Sequence, residues 1–127
     1  MKDRLSNFKI NVCVCYFHPE NSTRQVGKEY FFDSLLSQIY EHQNDVLFVI
    51  CGDFNSRCGH EYDYIAGVDD VSVRSVLDFT RNSYCNTFIE FLTSINCCML
   101  NGRVSNNNDV TCVSSKGQSI VDYRIVS

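Results

Sequence analysis

The chain has 127 residues, 44% hydrophobic and 20% charged, with 11 Lys and Arg against 15 Asp and Glu for a formal net charge of −4. That is enough for one globular domain with its own core and too little for two, so residues 1–127 read as a single domain. The acidic balance speaks against tight nucleic-acid binding through charge alone, while leaving open a catalytic encounter in which a cation bridges carboxylates to a phosphodiester.

The opening Met1-Lys2-Asp3-Arg4-Leu5-Ser6-Asn7 has no apolar signal region, and no stretch approaches a membrane span, so no membrane contact is expected. Phe8 to Tyr16 alternates at first, Phe8, Ile10 and Val12 against Lys9 and Asn11, and then turns wholly apolar, which predicts a strand entering the core. His18-Pro19-Glu20-Asn21-Ser22 ends it, because proline cannot extend a ladder. Tyr16 is either a core tyrosine or a hydroxyl that reaches phosphate, and it emerges beside Asp53 if the two strands are parallel neighbours. From about Lys28 to His42, the residues Phe32, Leu35, Leu36, Ile39 and Tyr40 recur at three- and four-residue steps, one face of an amphipathic helix, with His42 placed to cap its carbonyls. The helix joins two strands as a parallel, right-handed strand-helix-strand unit.

The run Val46-Leu47-Phe48-Val49-Ile50-Cys51 predicts a strand buried on both faces in the middle of an α/β sheet. Gly52 permits close backbone approach, and Asp53 and Asn55 follow at the carboxyl end, where ligands bind in such sheets. In an extended chain residues i and i+2 share a face, so Asp53 and Asn55 point together into a crevice and Phe54 into the core. A carboxylate that can take a hard cation or a proton from water, beside an amide that can donate to a phosphoryl oxygen, suits phosphate chemistry. An Asx-type loop at a strand end is the other reading of the same residues.

Ser56 to Arg81 has no sustained period, and a long irregular segment is usually functional or disordered. Within it Asp69-Asp70 face apart on an extended chain and read as a solvated loop. Phe88, Phe91, Leu92 and Ile95 mark a second amphipathic helix, followed by a short buried strand, Cys97-Cys98-Met99-Leu100, ended by Asn101-Gly102. Ser105 to Asp109 is a surface loop. Val110 to Val113 is a strand, Ser114 to Gly117 a turn, and Ser119 to Ser127 a last strand with Val121, Tyr123 and Ile125 on one face and Ile120, Asp122 and Arg124 on the other. An aspartate inside a strand is disfavoured, so Asp122 either pairs with Arg124 or another cation, or orients a histidine.

Five of the eight cysteines, Cys13, Cys15, Cys51, Cys97 and Cys98, fall in apolar segments and read as small buried hydrophobes in a reducing intracellular compartment, nuclear or cytoplasmic. There is no Cys-x-x-Cys pair, so a zinc site from Cys58, His60 and a distant Cys85 or Cys112 goes against the usual paired spacing.

Taken in order, Gly52-Asp53-Phe54-Asn55-Ser56-Arg57, Leu100-Asn101-Gly102-Arg103, Thr111-Cys112 and Ser119-Ile120-Val121-Asp122-Tyr123 resemble the second half of an endonuclease/exonuclease/phosphatase (DNase I-like) domain. The likeness is in particular to the apurinic-type endonuclease domain of non-LTR retrotransposons, and it runs from about Phe8 to Ser127. It implies a four-layer α/β sandwich of two packed sheets, here partial and truncated at both ends, and magnesium (Mg2+)-dependent cleavage of phosphodiesters, with DNA as the ancestral substrate. It implies that Asp53 acts on the nucleophilic water and is the possible metal contact, that Asn55 helps hold the phosphate, that Tyr16 lines the site, and that Asp122 hydrogen-bonds a catalytic histidine.

The family's upstream metal-binding glutamate and its final Ser-Asp-His segment have no counterpart, since no Glu precedes Tyr16 and His18, His42 and His60 fall elsewhere. The isolated chain is therefore expected to be inactive, to hold magnesium weakly, and to expose sheet edges for pairing with the missing half of the domain. The alternatives are a non-catalytic remnant or interaction module of the same fold, and a phosphatase of the same superfamily.

Overall fold

A computed structural model of the chain describes residues 9–24, 26–42, 47–65, 67–103 and 110–126. The expected loop Ser105 to Asp109 lies outside the described residues, as do Phe8, Val46 and Ser127 at the ends of expected strands. The architecture is mixed α/β: β1 (Ile10–Tyr16), α1 (Lys28–His42), β2 (Leu47–Asp53), α2 (Cys85–Ser94), β3 (Cys98–Met99), β4 (Cys112–Ser114), β5 (Gly117–Ser119) and β6 (Asp122–Val126).

The strand-helix-strand unit forms as its periodicity predicts, with β1 and β2 parallel and in register from Ile10 opposite Leu47 to Tyr16 opposite Asp53. The helix α1 buries Phe32, Leu35 and Ile39, and the His42 ring sits 2.8 Å from the Gln38 carbonyl at its carboxyl end. The helix α2 buries Cys85, Phe88, Phe91 and Leu92. It ends where Asn96 takes the left-handed region (φ 54), so that Asn96 N–H donates to Thr93 and Cys97 N–H to Leu92, satisfying the last carbonyls. A four-stranded sheet of order β1-β2-β6-β3 results, antiparallel except between β1 and β2.

The chain from Ser119 to Ser127 is not one strand. The strands β4 and β5 pair as a separate exposed ribbon, and the buried Ile120 and Val121 carry the chain from it to β6. Side chains satisfy the backbone at this crossing: Ile120 N–H donates to Asp78 Oδ2 at 3.0 Å, and Thr111 Oγ1 receives the N–H groups of Val121 and Asp122 at 3.0 and 3.1 Å. The expected alternation of faces therefore holds only from Asp122 onward.

Both helices contribute to one core against one face of the sheet, where Phe54 and Phe88 (ring centroids 4.8 Å apart) and Phe88 and Tyr123 (5.1 Å) interlock with Ile50, Met99 and Ile125. The Tyr123 hydroxyl donates to the Ser56 carbonyl at 2.7 Å, so the deepest polar group is satisfied. The other face is open. Here β1 departs from expectation: Val12 and Val14 are 65% and 78% exposed, and it is Cys13 and Cys15 that turn to the core. In the same way β2 is buried on one face only, with Leu47 half exposed. Among the described residues no second sheet lies over that face, and no described helix is long and apolar enough to cross a membrane.

The long segment from Ser56 to Arg81 has no helix or named strand among its described residues and is ordered largely by ion pairs, an exposed one between Arg81 and Glu61 and two deeper ones. Arg57 grips Asp78 through two bonds of 2.8 and 2.7 Å, and Asp63, whose side chain is fully buried, holds Arg103 at 2.7 and 2.8 Å while receiving Met99 N–H at 2.7 Å. Gly102 (φ 78) lets this segment dock on the chain after β3: Ser75 N–H donates to the Gly102 carbonyl at 2.8 Å, and a Cβ at Gly102 would lie 2.2 Å from the Ser75 carbonyl oxygen. All eight cysteines are free, and the deepest are Cys58 and Cys85 rather than those of the sheet. Burial pushes the Cys15 and Cys97 thiols up to about 12.

Candidate functional site

Three of the four residues singled out by sequence come together by strand register alone. Tyr16 ends β1, Asp53 ends β2 and Asp122 opens β6, and pairing sets Tyr16 opposite Asp53 and Asp53 opposite Asp122. Directly opposed residues share a face, so the three form one row across the open side of the sheet, at the carboxyl end of its parallel pair. Tyr16 is 53% exposed, which settles its two readings against a core tyrosine, and the Arg24 guanidinium lies 5.6 Å from its ring centre.

The two carboxylates of the row oppose each other. Burial pushes the Asp53 carboxyl above its ordinary range, the hydrogen bond from the Asn55 backbone pulls it partway back, and the Asp122 charge raises it again. Next to Asp53, Gly52 (φ 155) lets β1 approach so closely that a Cβ would sit 1.9 Å from the Cys15 carbonyl oxygen.

Asn55 does not point with Asp53 into a shared crevice. Its N–H is captured by Asp53 Oδ1 at 2.9 Å, and its backbone turns to φ 46, out of the extended conformation that the i, i+2 argument assumes. Phe17 N–H donates to the Asp53 carbonyl at 2.7 Å, and the Asn55 side-chain amide then donates to the Phe17 carbonyl at 2.6 Å, where a strand N–H would stand in an unbroken parallel ladder. The Asx-type turn is thus what forms, and Phe54 does enter the core. Asn55 lines a broad crevice of about 760 Å³ beyond the strand ends, together with Arg57, Asn82, Lys116 and Ser119.

Asp122 forms no ion pair with Arg124 among the described residues. No described histidine bonds it either: the His18 ring nitrogens lie 2.9 and 2.7 Å from the Pro19 and Val26 carbonyl oxygens, and His60 packs on Phe79. The Asp122 backbone is also held by Asn101, a residue of the Leu100-Asn101-Gly102-Arg103 motif for which the sequence shows no role in the site. Asn101 donates Nδ2–H to the Asp122 carbonyl at 3.0 Å and accepts Arg124 N–H at 2.9 Å, extending the β6 ladder with a side chain.

The zinc constellation does not assemble. The Cys58 and Cys85 thiols are neighbours, and their contact pushes Cys58 up, but Cys112 is exposed on the ribbon. No group of three His, Cys, Asp or Glu suited to a metal occurs among the described residues, and the row at Asp53 offers two carboxylates. No protein-family model matches the chain, and neither does any curated protein or solved structure.

Proposed function

We propose that Tyr16, Asp53, Asn55 and Asp122 belong to the site of a magnesium-dependent, DNA-nicking endonuclease of the DNase I-like kind, and that this chain is part of such a domain and does not turn over alone. The observation that supports the reading most is the row Tyr16-Asp53-Asp122 on an uncovered sheet face. A carboxyl held above its usual range is suited to take a proton from water at neutral pH, the part given to Asp53. Asn55 acts as a positioning residue, fixing the Asp53 carboxylate through its N–H.

Two carboxylates facing each other, with the Asp122 charge raising the Asp53 carboxyl, are a donor set a hard cation would relieve, and magnesium is ordinarily held by one or two carboxylates with phosphate oxygens completing the shell. Asp53 and Asp122 fit that need weakly, and the bound ion would supply positive charge to the phosphoryl oxygens. The rest of a four-layer sandwich would pack over the apolar part of the open face, around Val12 and Val14, and meet the chain at its sheet edges, leaving the row at the strand ends to the substrate. Eight unpaired thiols suit an intracellular, reducing compartment.

The test is magnesium-dependent nicking of supercoiled plasmid by the longest natural product that contains these residues, with and without Asp53→Ala. Loss of about 10³-fold or more is expected; equal activity removes the reading. A second reading, a non-catalytic interaction module, draws on the exposed apolar face itself. Nicking by the purified 127-residue chain, abolished by Asp53→Ala, would remove that one.

A further inference from the structure

We propose that β1 seats a second copy of this chain edge to edge, turning two four-stranded sheets into one continuous eight-stranded sheet. The strand β1 is last on its side of the sheet and pairs with β2 alone among the described residues. One bond tells which of its backbone groups are left over. Phe17 N–H donates to the Asp53 carbonyl, so by the alternation of a strand Cys13 and Cys15 turn their N–H and C=O toward β2, and Ile10, Val12, Val14 and Tyr16 turn theirs outward.

Nothing in the strand guards this edge. From Ile10 to Tyr16 there is no charge, no proline and no break in register, the devices that ordinarily keep an edge from pairing. The outward set is also self-complementary. A two-fold axis perpendicular to the sheet, midway between Cys13 and Cys13 of the second copy, sets Ile10 opposite Tyr16 and Val12 opposite Val14 of that copy, so every outward N–H and C=O in that span finds a partner. The 65% and 78% exposed valines then cover one another as cross-strand neighbours. On the helix side, the second copy closes a cavity of about 380 Å³ between β1 and α1, lined by Cys13, Ile39, Phe48 and Ile50.

Stacking open face on open face in register would lay Asp53 and Asp122 on their own copies. Edge pairing keeps the two acidic rows at opposite ends of the joint. The inference stands apart from the nuclease reading, although the remainder of a domain would compete for the same edge.

Sedimentation of the reduced protein over a range of concentrations is expected to give a monomer–dimer equilibrium. Val14→Pro removes an outward N–H while sparing the bonds to β2, and Val14→Lys puts a charge on the edge; each is expected to weaken the dimer at least tenfold with the circular dichroism retained. Hydrogen exchange read residue by residue should show Val12, Val14 and Tyr16 amides slowing as concentration rises, with Cys13 and Cys15 slow throughout. A monomer at every concentration whose even-numbered β1 amides exchange freely overturns the proposal, and so does a dimer that either variant leaves intact.

Discussion

The two faces of the sheet are built from the same strands, and both are largely apolar along β1 and the first half of β2, yet they meet different fates. On the covered face Phe48, Ile50, Tyr123 and Ile125 pack beneath Phe32, Leu35, Phe88 and Leu92, and none is more than 9% exposed. On the open face Ile10, Val12, Val14 and Leu47 are between 48% and 78% exposed, and the row Tyr16-Asp53-Asp122 closes that surface at one end. Among the described residues, folding accounts for the first face and makes no use of the second. The difference assigns stability to one side and recognition to the other, and it can be broken from either side.

The largest effect should come from the covered face. Phe88 is fully buried between Phe54 and Tyr123, so Phe88→Ala is expected to destabilise by about 3–5 kcal/mol in urea unfolding. A loss below about 1 kcal/mol would mean that the two faces do not differ as described.

Next comes the strap beneath it. Asp63→Asn leaves Arg103 buried without its counter-charge and should lower stability by roughly 3 kcal/mol. Burial alone would raise Asp63 and Asp78, but bonds from Arg103 and Arg57 outweigh it and hold both carboxyls below their ordinary range. A depressed carboxyl gives stability that is present above its unfolded value near 4 and lost as pH falls through its folded value. Acid unfolding below about pH 4 should accordingly be less steep in Asp63→Asn than in the parent.

Asp53 has the opposite sign, which is what a site on the open face should show. Its folded value is raised, so the ionised form disfavours the fold at neutral pH and the penalty fades as pH falls through that folded value. Asp53→Asn keeps an oxygen to accept Asn55 N–H and removes the repulsion from Asp122. Because the group is half open to water, the gain should be small, about 0.5 kcal/mol or about 2 °C in Tm at pH 7, and should vanish near pH 4. Destabilisation at pH 7 instead would mean that Asp53 is a structural residue and not a site.

Much of this arrangement was legible in the order of residues. The 3.6-residue period gave both helices, and the strand-helix-strand unit placed Tyr16 beside Asp53. The orientation of β1 was not legible, because Val12-Cys13-Val14-Cys15 is apolar at every position and nothing local says which face the helices will cover. The turn at Asn55 escaped a parity argument because a side chain, Asp53, took its N–H. Asp122 entered the row only through β6 pairing between β2 and β3, a crossover that sequence adjacency does not report. The Asp63–Arg103 pair, 40 residues apart, was equally out of reach.

The smallest expected effect is the sharpest test of the open face. Val12→Thr keeps β-branching and volume and exchanges one methyl for a hydroxyl, so its effect reports whether water reaches the position. At 65% exposure, and at a concentration low enough to keep the chain monomeric, it should change stability by no more than about 0.5 kcal/mol. The same exchange under a covering layer would bury a hydroxyl and cost about 1–3 kcal/mol. A loss of that size would mean that something in the chain folds over the apolar part of the face, and stability and recognition would then not be divided between the two faces.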